Sequence, residues 1–288
     1  MALEFRAAVL REHIQAWLRE DVGTGDISAL STIPADHRSK GILHAKQDGV
    51  IAGLAVAEAV FAEVDASLLF RAVVEEGAYV ARGTVIAEVE GASRSILSGE
   101  RLALNLLQRM SGIATKTRTY VDALGGAPVR LVDTRKTTPG LRQLEKYAVR
   151  AGGGHNHRFG LYDAVMIKDN HIKAAGGIAA AVSSARAYIP HTMKIEVEAE
   201  SRDQALEALE AGADIIMLDN MAPPAMEAAV RMIKERAPHI VVEASGGVTL
   251  ETIRAIALTG VDVISVGGLT HSVQALDISL DLNERKGS

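Results

Sequence analysis

The sequence predicts an α/β protein in two parts, a small glycine-punctuated sheet followed by an incomplete or atypical (β/α) barrel. Three observations carry the prediction. Residues 40–91 run as short apolar stretches broken by glycine, as in Gly77-Ala78-Tyr79-Val80 and Gly83-Thr84-Val85-Ile86. From residue 129 onward, apolar runs end in polar residues or glycine and alternate with helix-like segments, the pattern of parallel βα units. Glycine is frequent (26 residues) while aromatics make up only 3%, which suits tight turns and Ala-lined helices.

The elements follow in order. Residues 1–20 mix charged and apolar side chains at helical spacing without an uninterrupted apolar stretch, so they read as neither signal peptide nor anchor. Residues 40–91 predict a small antiparallel or mixed sheet. Residues 98–124 predict one long helix. Leu102, Leu106 and Met110, with Leu104 and Leu107, bury one side, and Arg101, Asn105, Gln108 and Arg109 share the other. Six strands are then expected at 129–133, 164–169, 194–200, 215–220, 240–245 and 263–268, with helices at 201–211, 223–236 and 250–258. A closed barrel of this kind needs eight strands.

At 288 residues the chain has room for one large domain or two ordinary ones. It holds no cysteine, which excludes disulfides, thiolate zinc sites and cysteine nucleophiles. No apolar run is long enough to span a bilayer. The net charge of -5 and the few aromatics argue against nucleic acid as the main partner, and a soluble, cytoplasmic protein is expected.

In parallel barrels the C-terminal strand ends face the active site. Here those ends collect an unusual set of groups. The loop Asp133-Thr134-Arg135-Lys136-Thr137-Thr138-Pro139-Gly140 packs two adjacent cations and three hydroxyls behind a strand, although the chain as a whole is acidic. Fixed positive charge at a strand end suits a polyanionic substrate. Lys168 ends an apolar run and reads either as a lysine paired with a neighbouring carboxylate or as a Schiff-base nucleophile. Glu196 and Glu198 alternate along one strand and so share a face. Glu198 lies nearer the expected mouth, whereas Glu196 reads as a deeper structural partner. Glu198 and Asp219 offer hard oxygens for Mg²⁺ or ribose hydroxyls, or serve as ion-pair partners. Ser245-Gly246-Gly247 and Gly267-Gly268, with His271 nearby, suit phosphate binding by backbone N–H groups. His155, His157 and His171 lack the spacing of a zinc site, and His157, beside Arg158, reads as a donor to a carboxylate or phosphate.

Together these segments resemble the quinolinate phosphoribosyltransferase family. The matching runs are residues 133–140, Asn156-His157-Arg158 with Gly160-Leu161-Tyr162-Asp163, and Ile167-Lys168-Asp169-Asn170-His171. They continue in Glu196-Val197-Glu198, Leu218-Asp219-Asn220, Glu243-Ala244-Ser245-Gly246-Gly247 and Leu269-Thr270-His271-Ser272, with Glu100-Arg101 and Asn105 in the long helix.

The resemblance implies an N-terminal α/β sandwich domain at 1–112 and an open, incomplete, seven-stranded α/β barrel at 113–272, with the tail 273–288 expected to rejoin the sandwich. It implies transfer of phosphoribose from phosphoribosyl pyrophosphate to quinolinate with decarboxylation, a step of de novo NAD biosynthesis, with Mg²⁺ as cofactor. Lys136, Lys168, Glu198 and Asp219 take the catalytic roles in that reading. Thr134, Arg135, Lys136, His157, Arg158 and Lys168 contact substrate anions. Glu198 and Asp219 hold ribose hydroxyls and Mg²⁺-diphosphate, and Ser245, Gly246, Gly247, Gly267, Gly268 and His271 cradle the 5′-phosphate. Arg101, by itself a solvated helix arginine, reaches the partner's site in a homodimer. The competing expectations are a related phosphoribosyltransferase with another acceptor, a Schiff-base lyase using Lys168, and a phosphometabolite-binding regulator.

Overall fold

In the computed structural model, which describes residues 7–283, the N-terminal helical pattern forms α1 (Ala7–Asp21). Residues 1–6 of that pattern lie outside the described residues. A second helix, α2 (Ile27–Thr32), starts at Asp26, whose carboxylate accepts the Ala29 N–H at 3.0 Å, a side-chain cap of the usual kind. The sheet region then contains β1 (Arg38–Ala45), β2 (Gly49–Val50), α3 (Leu54–Val64), β3 (Leu69–Ala72), β4 (Tyr79–Val80) and β5 (Val85–Ala92).

Helix α3 corrects the reading of residues 40–91 as strands alone. Its sequence, LAVAEAVFAEV, is rich in alanine, and Val56 with Val60 and Ala57 with Phe61 repeat at helical spacing and are buried. Its start is capped from a distance: the Glu76 carboxylate accepts the N–H groups of Gly53 and Leu54 at 2.5 and 3.1 Å. Burial pushes the Glu76 carboxyl above the usual carboxylate range, although these hydrogen bonds oppose it.

The long helix is α4 (Ser93–Ala123). Leu102, Leu104, Leu106, Leu107 and Met110 are all buried, as expected of the apolar side. On the other side Arg109 donates to Glu145 at 2.8 Å; Glu145 is fully buried in α5 (Arg142–Ala151).

Six parallel strands make the second sheet: β6 (Arg130–Val132), β7 (Val165–Ile167), β8 (Ile195–Ala199), β9 (Ile215–Asp219), β10 (Val241–Ser245) and β11 (Val263–Ser265). They fall within the six expected segments. Their order is β6-β11-β10-β9-β8-β7, and β6 and β7 are not paired with each other, so the barrel is open between them. A seventh position is marked by a single parallel bridge from Val132 to His155. The helices are α6 (Asp169–Ala175), α7 (Ile178–Tyr188), α8 (Arg202–Glu210), α9 (Pro223–Arg236), α10 (Ile253–Ala257) and α11 (Gly268–His271). Ser201 caps α8 by accepting the Gln204 N–H, while the Gln204 side chain accepts the Glu200 N–H. Prolines 223 and 224 open α9, where their missing N–H groups are not needed.

The last strand, β12 (Ile278–Asn283), returns to the first sheet and pairs antiparallel with β1 from Ala45↔Ile278 to Lys40↔Asn283. That sheet runs β12-β1-β5-β3, all antiparallel, and β2 pairs separately with β4. The elements group into two units. One comprises the described residues up to Arg118, Gln143–Gly153 and those from Ser272 onward; the other comprises Thr119–Arg142 and Gly154–His271. Residues 284–288 of the C-terminal tail lie outside the described residues. No described helix is long and apolar enough to cross a membrane.

Candidate active site

Strand alternation decides what the barrel presents. Glu196 and Glu198 face the interior from β8, as do Glu243 and Ser245 from β10. Glu198 and Ser245 stand at the C-terminal end, and Glu196 and Glu243 sit one inward step deeper.

The loop after β6 is tied down by buried and bridging groups. Asp133 is fully buried and accepts the His157 N–H at 2.9 Å and the Asn156 side-chain amide at 2.5 Å. Arg142 joins the same two loops from outside, donating to Thr137 Oγ1 at 3.0 Å and to the Phe159 carbonyl at 2.9 Å. Asp163 accepts the N–H groups of Phe159 and Gly160. Arg135 and Arg158 are brought together by this scaffold. Partial burial and the neighbouring Arg135 both depress the proton affinity of Arg158, although an arginine stays charged at any working pH. Arg158 also donates to the Ala164 carbonyl at 3.0 Å.

The rest of the rim comes from the other strand ends. Lys168 Nζ bonds Glu198 Oε2; the lysine side chain is 44% exposed and the glutamate side chain 9%. The Lys168 backbone is held separately, its N–H donating to His171 Nδ1 at 2.9 Å. Asp219 accepts from the Asn220 side chain at 2.6 Å. Asn220 adopts a left-handed backbone (φ 54) and donates its N–H to the Ser245 carbonyl at 2.9 Å. Gly246 lies over it: a Cβ there would meet Asn220 Oδ1 at 2.3 Å, and its φ of 88 already favours glycine. Gly267 leaves room for the Lys136 chain and the His271 ring, at 2.9 and 3.2 Å from where a Cβ would stand. Thr270 Oγ1 fixes Lys136 by donating to its carbonyl at 2.8 Å. The helix expected at 250–258 is shorter, and Gly267-Gly268 leads into the single turn α11. The two glycine turns therefore offer backbone N–H groups rather than long helix ends. Thr134 Oγ1 accepts the Lys136 N–H at 3.1 Å, so its hydroxyl shapes the cation loop.

His157, expected to donate to a carboxylate or phosphate, meets two carboxylates of the barrel itself. Its Nε2 lies 3.3 Å from Glu196 Oε2 and 3.3 Å from Glu243 Oε2, and its Nδ1 accepts the Arg158 N–H at 2.7 Å. Burial disfavours a charged ring, whereas the hydrogen bonds and charges of the two carboxylates favour it and push its pKa up to about 10; the Arg158 N–H aimed at Nδ1 opposes that second proton. The geometry limits where that proton can sit. An Nδ1 that accepts an N–H cannot carry a proton, so the ring is the neutral Nε2–H tautomer. The same fact bears on metal binding. One ligand atom each from His157, Glu196 and Glu243 lies within 4.8 Å of the others, but an Nε2 that carries a proton is not a ligand. Glu196, read from sequence as a deeper structural partner, has that position. Glu243 was legible only as part of a motif, yet the two-residue step back from Ser245 puts it on the inner face.

This cluster opens on a cavity of about 570 Å³, which His157, Glu196 and Glu243 line together with residues at the starts of the six strands, among them Arg130, Lys194 and Val263. Arg135, Lys136, Lys168 and the glycine turns follow the opposite, C-terminal ends, whereas Arg158 lines this cavity. Arg101 belongs to α4 in the other unit, with a 59% exposed side chain and a loose 3.9 Å contact to Glu100.

An open parallel barrel whose strand ends combine paired cations, a Lys–Glu pair and two glycine turns defines an enzyme that handles phosphorylated, multiply anionic substrates. Residues 113–281 match the family of the quinolinate phosphoribosyl transferase C-terminal domain, and residues 26–111 match that of its N-terminal domain. The chain belongs to the quinolinate phosphoribosyltransferase family. It is 48% identical over 274 residues to the probable nicotinate-nucleotide pyrophosphorylase [carboxylating] of Bacillus subtilis, covering 95% of this chain and 93% of that one. It is 49% identical over 269 residues to the Synechocystis protein of the same description, covering 93% and 91%. The crystal structure of NadC from Streptococcus pyogenes superposes with a TM-score of 0.93 at 44% identity, covering 98% and 99% of the two chains.

Proposed function

We propose that this chain transfers phosphoribose from phosphoribosyl pyrophosphate to the ring nitrogen of quinolinate and releases CO₂ and pyrophosphate, giving nicotinate mononucleotide for NAD biosynthesis. The observation that carries this is that Arg142 ties the Arg135 loop to the Arg158 loop, donating to the Arg135 carbonyl at 3.4 Å and to the Phe159 carbonyl at 2.9 Å, with the charge of Arg135 felt at Arg158. Two neighbouring guanidinium groups repel each other until a ligand with two adjacent carboxylates lies between them, and quinolinate is such a ligand. Family membership supports the same reaction.

Each end of the reaction has a counterpart among the residues. The backbone N–H groups around Ser245, Gly246, Gly247, Gly267 and Gly268, with His271, receive the 5′-phosphate. Glu198 and Asp219 hold the ribose hydroxyls and oppose the positive charge that grows at C1 as its bond to pyrophosphate breaks. The leaving pyrophosphate keeps the bonding electrons, and Lys136 and Lys168 bind its developing charge. The quinolinate nitrogen then bonds to C1, positioned by the arginine pair. The ring nitrogen, now cationic, stabilises the electron pair left on C2 when the C2 carboxylate departs as CO₂, and C2 takes up a proton.

Glu198 and Asp219 suit Mg²⁺, since each offers a carboxylate at a strand end and Mg²⁺ is commonly held by one or two carboxylates with substrate phosphates. Bound there, Mg²⁺ would neutralise diphosphate charge. The reading extends to a cytoplasmic homodimer in which Arg101 of each subunit reaches the other's site. Its exposure and its loose contact with Glu100 leave the guanidinium available.

The test is direct. Incubation with Mg²⁺, phosphoribosyl pyrophosphate and labelled quinolinate is expected to give nicotinate mononucleotide and CO₂ in equal amounts. Turnover with nicotinate alone would replace quinolinate with another acceptor, and no pyrophosphate release with either would remove the transferase reading.

The glycine turn gives a finer prediction. Gly246→Ala forces a left-handed alanine, which costs about 1–2 kcal/mol by itself, and drives its Cβ into Asn220. The KM for phosphoribosyl pyrophosphate should rise by roughly tenfold or more, since about 1.4 kcal/mol is a factor of ten, while the KM for quinolinate moves little. Equal rises in both constants would place the turn outside phosphate binding.

A further inference from the structure

We infer that Glu196 and Glu243 are positioning residues: they grip the Nε2–H of His157 from the barrel interior, so that its Nδ1 holds the Arg158 backbone and fixes where that arginine stands. The inference rests on the quinolinate reading above and adds to it the way the substrate-binding wall is held.

Three observations support it. Both ring nitrogens of His157 are engaged inside the protein, Nε2 by the two glutamates at 3.3 Å each and Nδ1 by the Arg158 N–H at 2.7 Å. The ring therefore links the barrel interior to the Arg158 backbone. The second oxygen of each glutamate, Oε1, is buried without a hydrogen-bond partner. Two buried acids that are only half satisfied are costly, and a fold that needed mere packing there would do better with apolar side chains. Finally, the loop is held from its other side as well, because Asp133 accepts the His157 N–H at 2.9 Å. His157 is thus fixed at its backbone by Asp133 and at its ring by the glutamates, and Arg158 inherits that position.

The charged groups around the cluster fit a positioning role. Arg158, Arg130, Lys194 and Asp163 line the same cavity as the cluster, and the charge of Arg158 is felt at Glu196. None of these cations forms a recorded ion pair with Glu196 or Glu243 among the described residues, where the His157 ring makes the short contacts to both.

The test compares a deletion with its conservative partner at one position. Glu243→Leu removes the acceptor, whereas Glu243→Gln keeps an amide oxygen for Nε2–H. With Leu the KM for quinolinate should rise about tenfold or more, the usual size of a lost hydrogen bond to a charged group. With Gln it should rise only about threefold, and neither change should move the KM for phosphoribosyl pyrophosphate by more than roughly twofold. The same pair of changes at Glu196 should behave alike. A loss that strikes both substrates equally, or Gln no milder than Leu, would overturn the inference in favour of a purely structural role. Nitrogen-15 NMR of the unmodified enzyme gives a second measurement that needs no variant. His157 should show a bare Nδ1 and a protonated Nε2, and a protonated Nδ1 would overturn the link to Arg158. If the unmodified enzyme does not turn over quinolinate, the functional reading fails, and the NMR result still decides the geometry.

Discussion

Replacing Arg135 and Arg158 together by alanine is expected to raise the KM for quinolinate by about 10² to 10⁴, because two charge-assisted hydrogen-bonding groups worth roughly 1.5–3 kcal/mol each are lost. The two guanidinium groups sit close enough for Arg135 to depress the proton affinity of Arg158. That repulsion is present in the free enzyme and relieved by a dianion, so the pair should discriminate strongly for adjacent carboxylates. A ligand with one carboxylate, such as nicotinate, should bind the unmodified enzyme much more weakly and be far less sensitive to the double change. The KM for phosphoribosyl pyrophosphate should change comparatively little. Arg135→Lys keeps the charge and loses the planar fork, so it should fall between the two. In a homodimer that shares Arg101, mixing the double variant with Arg101→Ala should restore part of the activity that each lacks alone. Quinolinate affinity that survives the double change would take the clamp away from these arginines.

Much of this site is legible in the sequence because strand ends are. Mostly apolar runs of four or five residues that stop at Asp133, Lys168, Asp219 or Ser245 announce both the strand and the place where its chemistry is displayed. All six barrel strands could therefore be placed, and with them the rim residues. Helix α3 was not legible as such, because Val and Phe among alanines serve strand and helix alike and the cap that decides the matter, Glu76, lies about twenty residues further along. The role of His157 was hidden for a similar reason. Beside Arg158 it looks like one more anion donor, and only the folded sheet, which brings Glu196 and Glu243 to it from 39 and 86 positions later, shows that its ring is occupied. Arg142 is the same case on the outside of the loop: nothing in the run Gly140-Leu141-Arg142 says that its guanidinium joins Thr137 to Phe159. Residues that act through the backbone of distant loops leave no local pattern.

The second large effect is expected at the Lys168–Glu198 pair. Glu198→Gln should lower kcat by about 10² to 10³, the range typical when a preorganised electrostatic group is removed from a developing charge. Quinolinate KM should stay within roughly threefold if Glu198 serves the ribose, as proposed, and not the arginine pair. Lys168 is bonded to this carboxylate and half exposed, so Lys168→Gln removes the cation that holds Glu198 and that, in the proposed reaction, meets the leaving group. If the two residues act as one unit, the double variant Lys168→Gln/Glu198→Gln should lose much less than the product of the single losses. An additive result would mean that the lysine serves pyrophosphate alone. The same experiment separates the transferase from the Schiff-base alternative. A lysine engaged as an ammonium donor offers no lone pair to a carbonyl, so borohydride should trap no substrate on Lys168 during turnover. A trapped adduct would make Lys168 a nucleophile and would require a different reaction at this barrel mouth.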